Sequence, residues 1–131
     1  MTPTPHPHFD DRGVLDWSTR WNDALSRART EGKLVLVEFG RELCSNCRAL
    51  VQGAIPHPEV APRLAAHVVG LAADCDDPED EVLALAENLP DAMTLPFTLF
   101  ADANGRFLAG AEGAQSPKSL LALLDRALAA R

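Results

Sequence analysis

Cys44 and Cys47, in the run Cys44-Ser45-Asn46-Cys47, are the residues best suited to chemistry in this sequence. They follow a short apolar run and open a helical pattern. A helix N-terminus presents unpaired N–H groups and about half a positive charge. That field stabilises a thiolate, which is the nucleophilic form of cysteine. On a helix, residues i and i+3 share a face with Cβ atoms about 5–6 Å apart. A small adjustment then joins the two sulfurs. Cys44, at the edge, is expected to be the exposed nucleophile. Cys47, one turn on, is expected to be the more buried resolving thiol. Attack of Cys44 on a disulfide gives a mixed disulfide, and Cys47 releases it. The competing readings are a structural CxxC and half a zinc site. Zinc usually takes four ligands, and only Cys75 and distant histidines remain to complete such a set.

The elements around the pair set its position. Trp17, Trp21, Ala24, Leu25 and Ala28 fall on one stripe of a first helix, with Asp16 or Ser18 to cap it and Gly32 to end it. Leu34 to Phe39 is a continuous apolar run, as in a strand buried on both faces. A helix is expected from Cys44 to about Gly53, and a short one from Pro62 to His67. Val68 to Ala73 is a second buried strand. Asp77-Pro78-Glu79-Asp80 starts a helix that runs to about Asn88. Phe97 to Ala101 is a third strand, Asp102-Ala103-Asn104-Gly105 a tight turn, and Arg106 to Ala109 an antiparallel return. Ser116-Pro117 opens the last helix, with Leu120, Leu121, Leu123, Leu124, Ala127 and Leu128. Strands separated by helices imply parallel neighbours. The fold class is therefore α/β, with a mixed sheet of about four strands covered by helices on both faces and ending in an antiparallel hairpin.

Composition removes whole classes of function. The 131 residues are one domain's worth of chain, and 47% hydrophobic residues allow a core without disulfide staples. A net charge of −7 repels phosphate backbones and anionic membranes, so neither nucleic acid nor a membrane surface is an expected partner. The most apolar region, Leu64 to Ala73, is broken by His67 and is shorter than the ~18 residues a membrane span needs. Residues 1–13 hold three prolines, two histidines and one glycine, and read as a flexible lead-in to a domain at 14–131. This opening has neither a basic nor an apolar leader region. The chain as given is therefore expected in the cytoplasm, or in the periplasm if a leader was removed.

A buried strand followed by CxxC, a later strand opened by proline, and a DxNG turn together resemble the thioredoxin superfamily. Within it the chain is most similar to the C-terminal domain of DsbD-type thiol:disulfide interchange proteins. The resemblance is carried by Gly32 through Cys47, by His57-Pro58-Glu59-Val60, and by Leu95-Pro96-Phe97-Thr98-Leu99-Phe100 with Asp102-Ala103-Asn104-Gly105. It implies a three-layer α/β/α sandwich and a thiol:disulfide oxidoreductase, in which Cys44 and Cys47 are the redox pair. It implies that Pro96 is a cis-proline facing the dithiol and that Leu95 offers backbone groups to an extended substrate. It also implies that Glu38 is a buried acid able to take a proton from the resolving cysteine. Leu43, Ser45 and Asn46 complete the expected substrate contact. Thioredoxin itself has Trp before its first cysteine and Gly-Pro between the pair, where this chain has Leu43 and Ser45-Asn46. That departure leaves the redox direction open. The implied partners are protein disulfides and an electron donor, either a reductase or a membrane electron carrier. The implied protein is a monomer without organic cofactor or metal.

Other candidates have plainer readings. Cys75 ends the second buried strand on the dithiol's edge of the sheet. It is read as a small core cysteine left free by a Cys44–Cys47 bridge. Arg41 and Arg48 are expected to favour a Cys44 thiolate and Glu42 to oppose it. Asp74, Asp76, Asp77, Glu79, Asp80 and Glu81 lack the glycine and spacing of a calcium loop and read as caps and a solvated face. His6 and His8 are read as tail residues, and Trp17 and Trp21 as core anchors. Two other functions stay open: a thioredoxin-like binding or chaperone module with little redox turnover, and a metal-binding CxxC domain.

Overall fold

A run such as Leu34-Val35-Leu36-Val37 buries both faces of a strand, and it lies mid-sheet. Every residue of the strand Leu34–Gly40 is buried. The computed structural model describes residues 3–131. In chain order the elements are β1 (Trp17–Ser18), α1 (Trp21–Glu31), β2 (Leu34–Gly40), α2 (Ser45–Arg48, continued as a π-helix over Ala49–Ala54), α3 (Ala61–His67), β3 (Val68–Asp74), α4 (Asp80–Ala86), β4 (Phe97–Ala101), β5 (Phe107–Glu112) and α5 (Pro117–Ala130). The sheet order is β1-β3-β2-β4-β5. β1 and β2 run parallel to β3, whereas β4 is antiparallel to both β2 and β5.

Two apolar layers sandwich this sheet. On one face α1 and α4 cover Val35, Val37, Val69, Leu71 and Leu99. On the other, α2 with its continuation, α3 and α5 cover Leu34, Leu36, Val68 and Phe100. The expected three-layer α/β/α architecture is present, with five strands rather than about four.

The added strand is β1. It pairs Trp17 with Gly70 and Ser18 with Leu71. A side chain at position 70 would strike the Trp17 indole, so the glycine is what lets the ring lie against β3. Trp17 therefore belongs to a strand, and the first helix starts at Trp21. Asp16 and Ser18 do not cap that helix. The Trp21 N–H instead donates to Glu79 Oε1 at 2.7 Å, and Gly32 ends the helix in the left-handed region as expected.

The direction of β4 also differs from a parallel crossover. β3 finishes beside the end of β2, pairing Asp74 with Gly40, and β4 starts at that same end, pairing Phe97 with Phe39. That entry places the Leu95–Pro96 peptide, which is cis, at the dithiol's edge.

The expectation of a flexible segment over 1–13 is corrected for residues 3–13, which pack against the domain. His6, Phe9 and Asp11 are buried. The Asp11 carboxylate accepts from the N–H groups of Gly13 and Leu15 and from Trp17 Nε1. Residues 1–2 lie outside the described residues. Among the described residues, no helix is long and apolar enough to cross a membrane.

Candidate redox site

β2 ends at Gly40, the three residues Arg41, Glu42 and Leu43 follow, and Cys44 takes the N-cap of α2. Its sulfur accepts the Cys47 N–H at 3.1 Å and so stands in for a capping oxygen. Cys44 and Cys47 are joined as a disulfide with Cα atoms 5.2 Å apart. Cys44 is half-buried and Cys47 has no exposed surface. This is the asymmetry expected of an outer and an inner sulfur. Leu50, Val51 and Ala54, on the turns beyond, are buried and anchor the helix to the core.

The cis Leu95–Pro96 peptide lies opposite. Asn46 Nδ2 donates to the Leu95 carbonyl at 3.3 Å, and Leu95 and Cys44 pack against the same apolar cluster. The cysteine motif and the proline loop are thus in direct contact. Leu95 is half-buried and Pro96 buried, while Ser45 is exposed. Leu43 is 92% exposed, immediately before the outer sulfur. Met93, 90% exposed, stands two residues before Leu95.

Glu38 lies behind the dithiol on the same face of β2 as Leu34 and Leu36. It is buried, and its Oε1 meets His6 Nε2 at 2.7 Å. Burial pushes the Glu38 carboxyl above the ordinary carboxylate range. The hydrogen bond to His6 and the electrostatic influence of His6 and His8 pull the other way without cancelling that rise. Gly40, next on this face, sits between Glu38 and Cys47. A Cβ there would strike both Glu38 Oε2 and Cys47 Sγ. The acid and the inner sulfur therefore face each other across the space a side chain would fill.

The arginines expected to act on Cys44 are engaged elsewhere. Arg41 contacts Cys75 Sγ at 3.2 Å and Asp76 at 2.8 Å. Arg48 lies over the Phe9 ring, 5.9 Å from its centre. Cys75 is free and half-buried, and its backbone N–H donates to the Gly40 carbonyl at the dithiol's edge. Burial raises the Cys75 thiol above its usual value, and Arg41 opposes this only in part. Among the described residues, the cluster of three potential metal ligands is Asp74, Cys75 and Asp76, and it does not include the CxxC pair.

Sequence reasoning missed His6 and Gly40. A histidine between two prolines in a polar opening carries no local sign of burial. Gly40, directly after the buried run and two residues past Glu38, was the available signal for a close approach.

The sequence pattern of the thioredoxin-like family matches residues 16–103, and the chain belongs to that family. None of the curated proteins compared with it matches. Among solved structures, a thioredoxin from Thermus thermophilus is similar at 23% identity and a TM-score of 0.68, covering 88% of each chain. A poplar thioredoxin h is similar at 23% identity and a TM-score of 0.55, covering 90% of this chain and 96% of its own. A DsbH oxidoreductase is similar at 18% identity and a TM-score of 0.61, covering 89% of this chain and 86% of its own. These likenesses establish the fold. They do not single out the DsbD-type domain.

Proposed function

We propose that the protein is a thiol:disulfide oxidoreductase acting on protein disulfides. One observation carries the reading: a half-buried sulfur caps a helix, is joined to a fully buried one, and shares an apolar cluster with Leu95 of a cis-proline loop to which Asn46 is hydrogen-bonded. In its reduced state Cys44 attacks a substrate disulfide as a thiolate stabilised by the helix N-terminus. Cys47 then attacks Cys44 and frees the reduced substrate. Glu38 is the group placed to accept the Cys47 proton. Leu43 and Leu95 flank the outer sulfur and give an extended substrate an apolar contact. Asn46 occupies the Leu95 carbonyl in the oxidised form, and an incoming chain competes for that acceptor. Ser45 completes the rim. The electron donor is a reductase or a membrane carrier that reduces the Cys44–Cys47 bond.

The test is reduction of insulin by dithiothreitol. The protein is expected to accelerate it at catalytic concentration, and Cys44→Ser to abolish the acceleration. Equal rates with and without wild-type protein would refute the reading.

A further inference from the structure

We propose that His6 is a positioning residue for the dithiol: its Nε2–H holds Glu38 as a carboxylate facing Cys47, ready to take the proton of the resolving thiol. The inference rests on the oxidoreductase reading and deepens it.

The ring's own contacts fix its donor. His6 Nδ1 accepts from the backbone N–H of His8 at 3.0 Å and of Phe9 at 3.2 Å. A ring nitrogen that accepts carries no proton, so the proton of the neutral ring sits on Nε2. Nε2 faces Glu38 Oε1 at 2.7 Å, with the His6 and Glu38 side chains only 1% and 4% exposed. The ring is held edge-on to Trp17 and stacked on Phe9, with centroids 4.7 and 5.3 Å away. This leaves Oε2 for Cys47, across the gap at Gly40.

Every other element around Glu38 leaves the task to His6. Its sheet partners are Ala72 on β3, which is apolar, and Thr98 on β4, which is uncharged. α2 contributes the Cys47 sulfur. His8, Arg41 and Asp74 reach a cavity of about 310 Å³ that also borders His6, Glu38 and Gly40. Arg20, Asp77 and Glu79 also line it. Arg20 is paired with Glu79 and Arg41 with Asp76. Among the described residues, only His6 hydrogen-bonds the Glu38 carboxyl. A carboxyl raised by burial needs such a donor to serve as a base near neutrality.

The step balances without an outside reagent. The Cys47 thiol gives its proton to Glu38. The Cys47 thiolate attacks Cys44 Sγ, the Cys44–substrate bond breaks, and the Cys44–Cys47 bond forms. The substrate sulfur leaves as a thiolate, and the Glu38 proton passes to water in the cavity. Two electrons have moved from the dithiol to the substrate disulfide.

The experiment is stopped-flow reaction of the reduced protein, in a Cys75→Ser background, with one equivalent of dithiobis(nitrobenzoate). The first thionitrobenzoate released reports Cys44 attack, and the second reports resolution by Cys47. His6→Ala is expected to lower the ratio of second-phase to first-phase rate about tenfold at pH 7 and to move the second phase's pH midpoint up about one unit. His6→Phe keeps a ring against Phe9 and Trp17 without the donor, and is expected to give the same shift. His6→Gln, whose amide reaches the same oxygen, is expected to restore most of the rate. In a Glu38→Gln background, His6→Phe is expected to add nothing. A wild type that releases both equivalents, with ratio and midpoint unmoved in His6→Phe, overturns the proposal alone. A wild type that releases only the first equivalent overturns the oxidoreductase reading with it.

Discussion

At the residue scale, a carboxyl is almost wholly withdrawn from solvent and reached only from the cavity it borders. Glu38 is buried beside one histidine, and burial is the largest influence on its protonation. A carboxyl whose folded pKa lies above its unfolded value contributes stability that is fully present below the unfolded value and is lost as pH rises through the folded pKa. Glu38 therefore weakens the fold progressively above about pH 4.5, the ordinary value for a glutamate. Glu38→Gln keeps an acceptor for His6 and removes the charge. Its melting temperature is expected to exceed the wild type's at pH 8, with the margin shrinking at pH 4. Calorimetric scans at both values check this, and a margin that grows on acidification would contradict it. The redox cysteines were legible because their type and spacing name their chemistry. Pro96 and Glu38 were legible only through a family likeness. His6 was not legible, because burial of a polar residue depends on partners distant in the chain.

At the scale of elements, local signals held where the chain supplies its own partners. The last helix begins as its Ser116-Pro117 sequence predicts. Ser116 Oγ accepts the Ser119 N–H at 3.0 Å, and Ser119 Oγ accepts the Ser116 N–H at 2.9 Å. Ser116→Ala breaks this reciprocal cap and is expected to cost about 1 kcal/mol. Urea titration should show a lower midpoint with an unchanged slope, and an unchanged midpoint would show the cap to be idle. The Asp102–Gly105 turn likewise forms from its own residues: Asp102 Oδ1 accepts from the N–H groups of Asn104 and Arg106, and Gly105 takes a positive φ of 88°. The failures occur where neighbours decide. The helix expected through Gly53 does continue, but as a π-helix from Ala49. The two-residue β1 exists only because β3 lies beside it, and β4 runs antiparallel to β2 because it enters at the end of the sheet where β3 finishes.

For the whole molecule, the opening segment is the main departure from expectation. Residues 3–13 deliver His6 to the back of the redox site, Phe9 to the core and Asp11 to a buried turn. Asp11 ties this segment to β1 through Leu15 N–H and Trp17 Nε1, both at 2.9 Å. Asp11→Ala leaves those donors unpaired and is expected to cost at least about 2 kcal/mol. It should also red-shift tryptophan fluorescence as Trp17 gains water. An unchanged spectrum and melting point would show that the segment docks without Asp11. Sequence by itself determined the dithiol, the buried central strand, the order of helices and strands from α1 onward, and the turns, because each is written in side-chain type and spacing along a few neighbouring residues. Tertiary structure alone decided which face Glu38 shares with Cys47, what hydrogen-bonds it, which way β4 runs, and that the proline-rich opening is core. Those outcomes depend on which distant groups exclude water from one another, and local spacing carries no record of that.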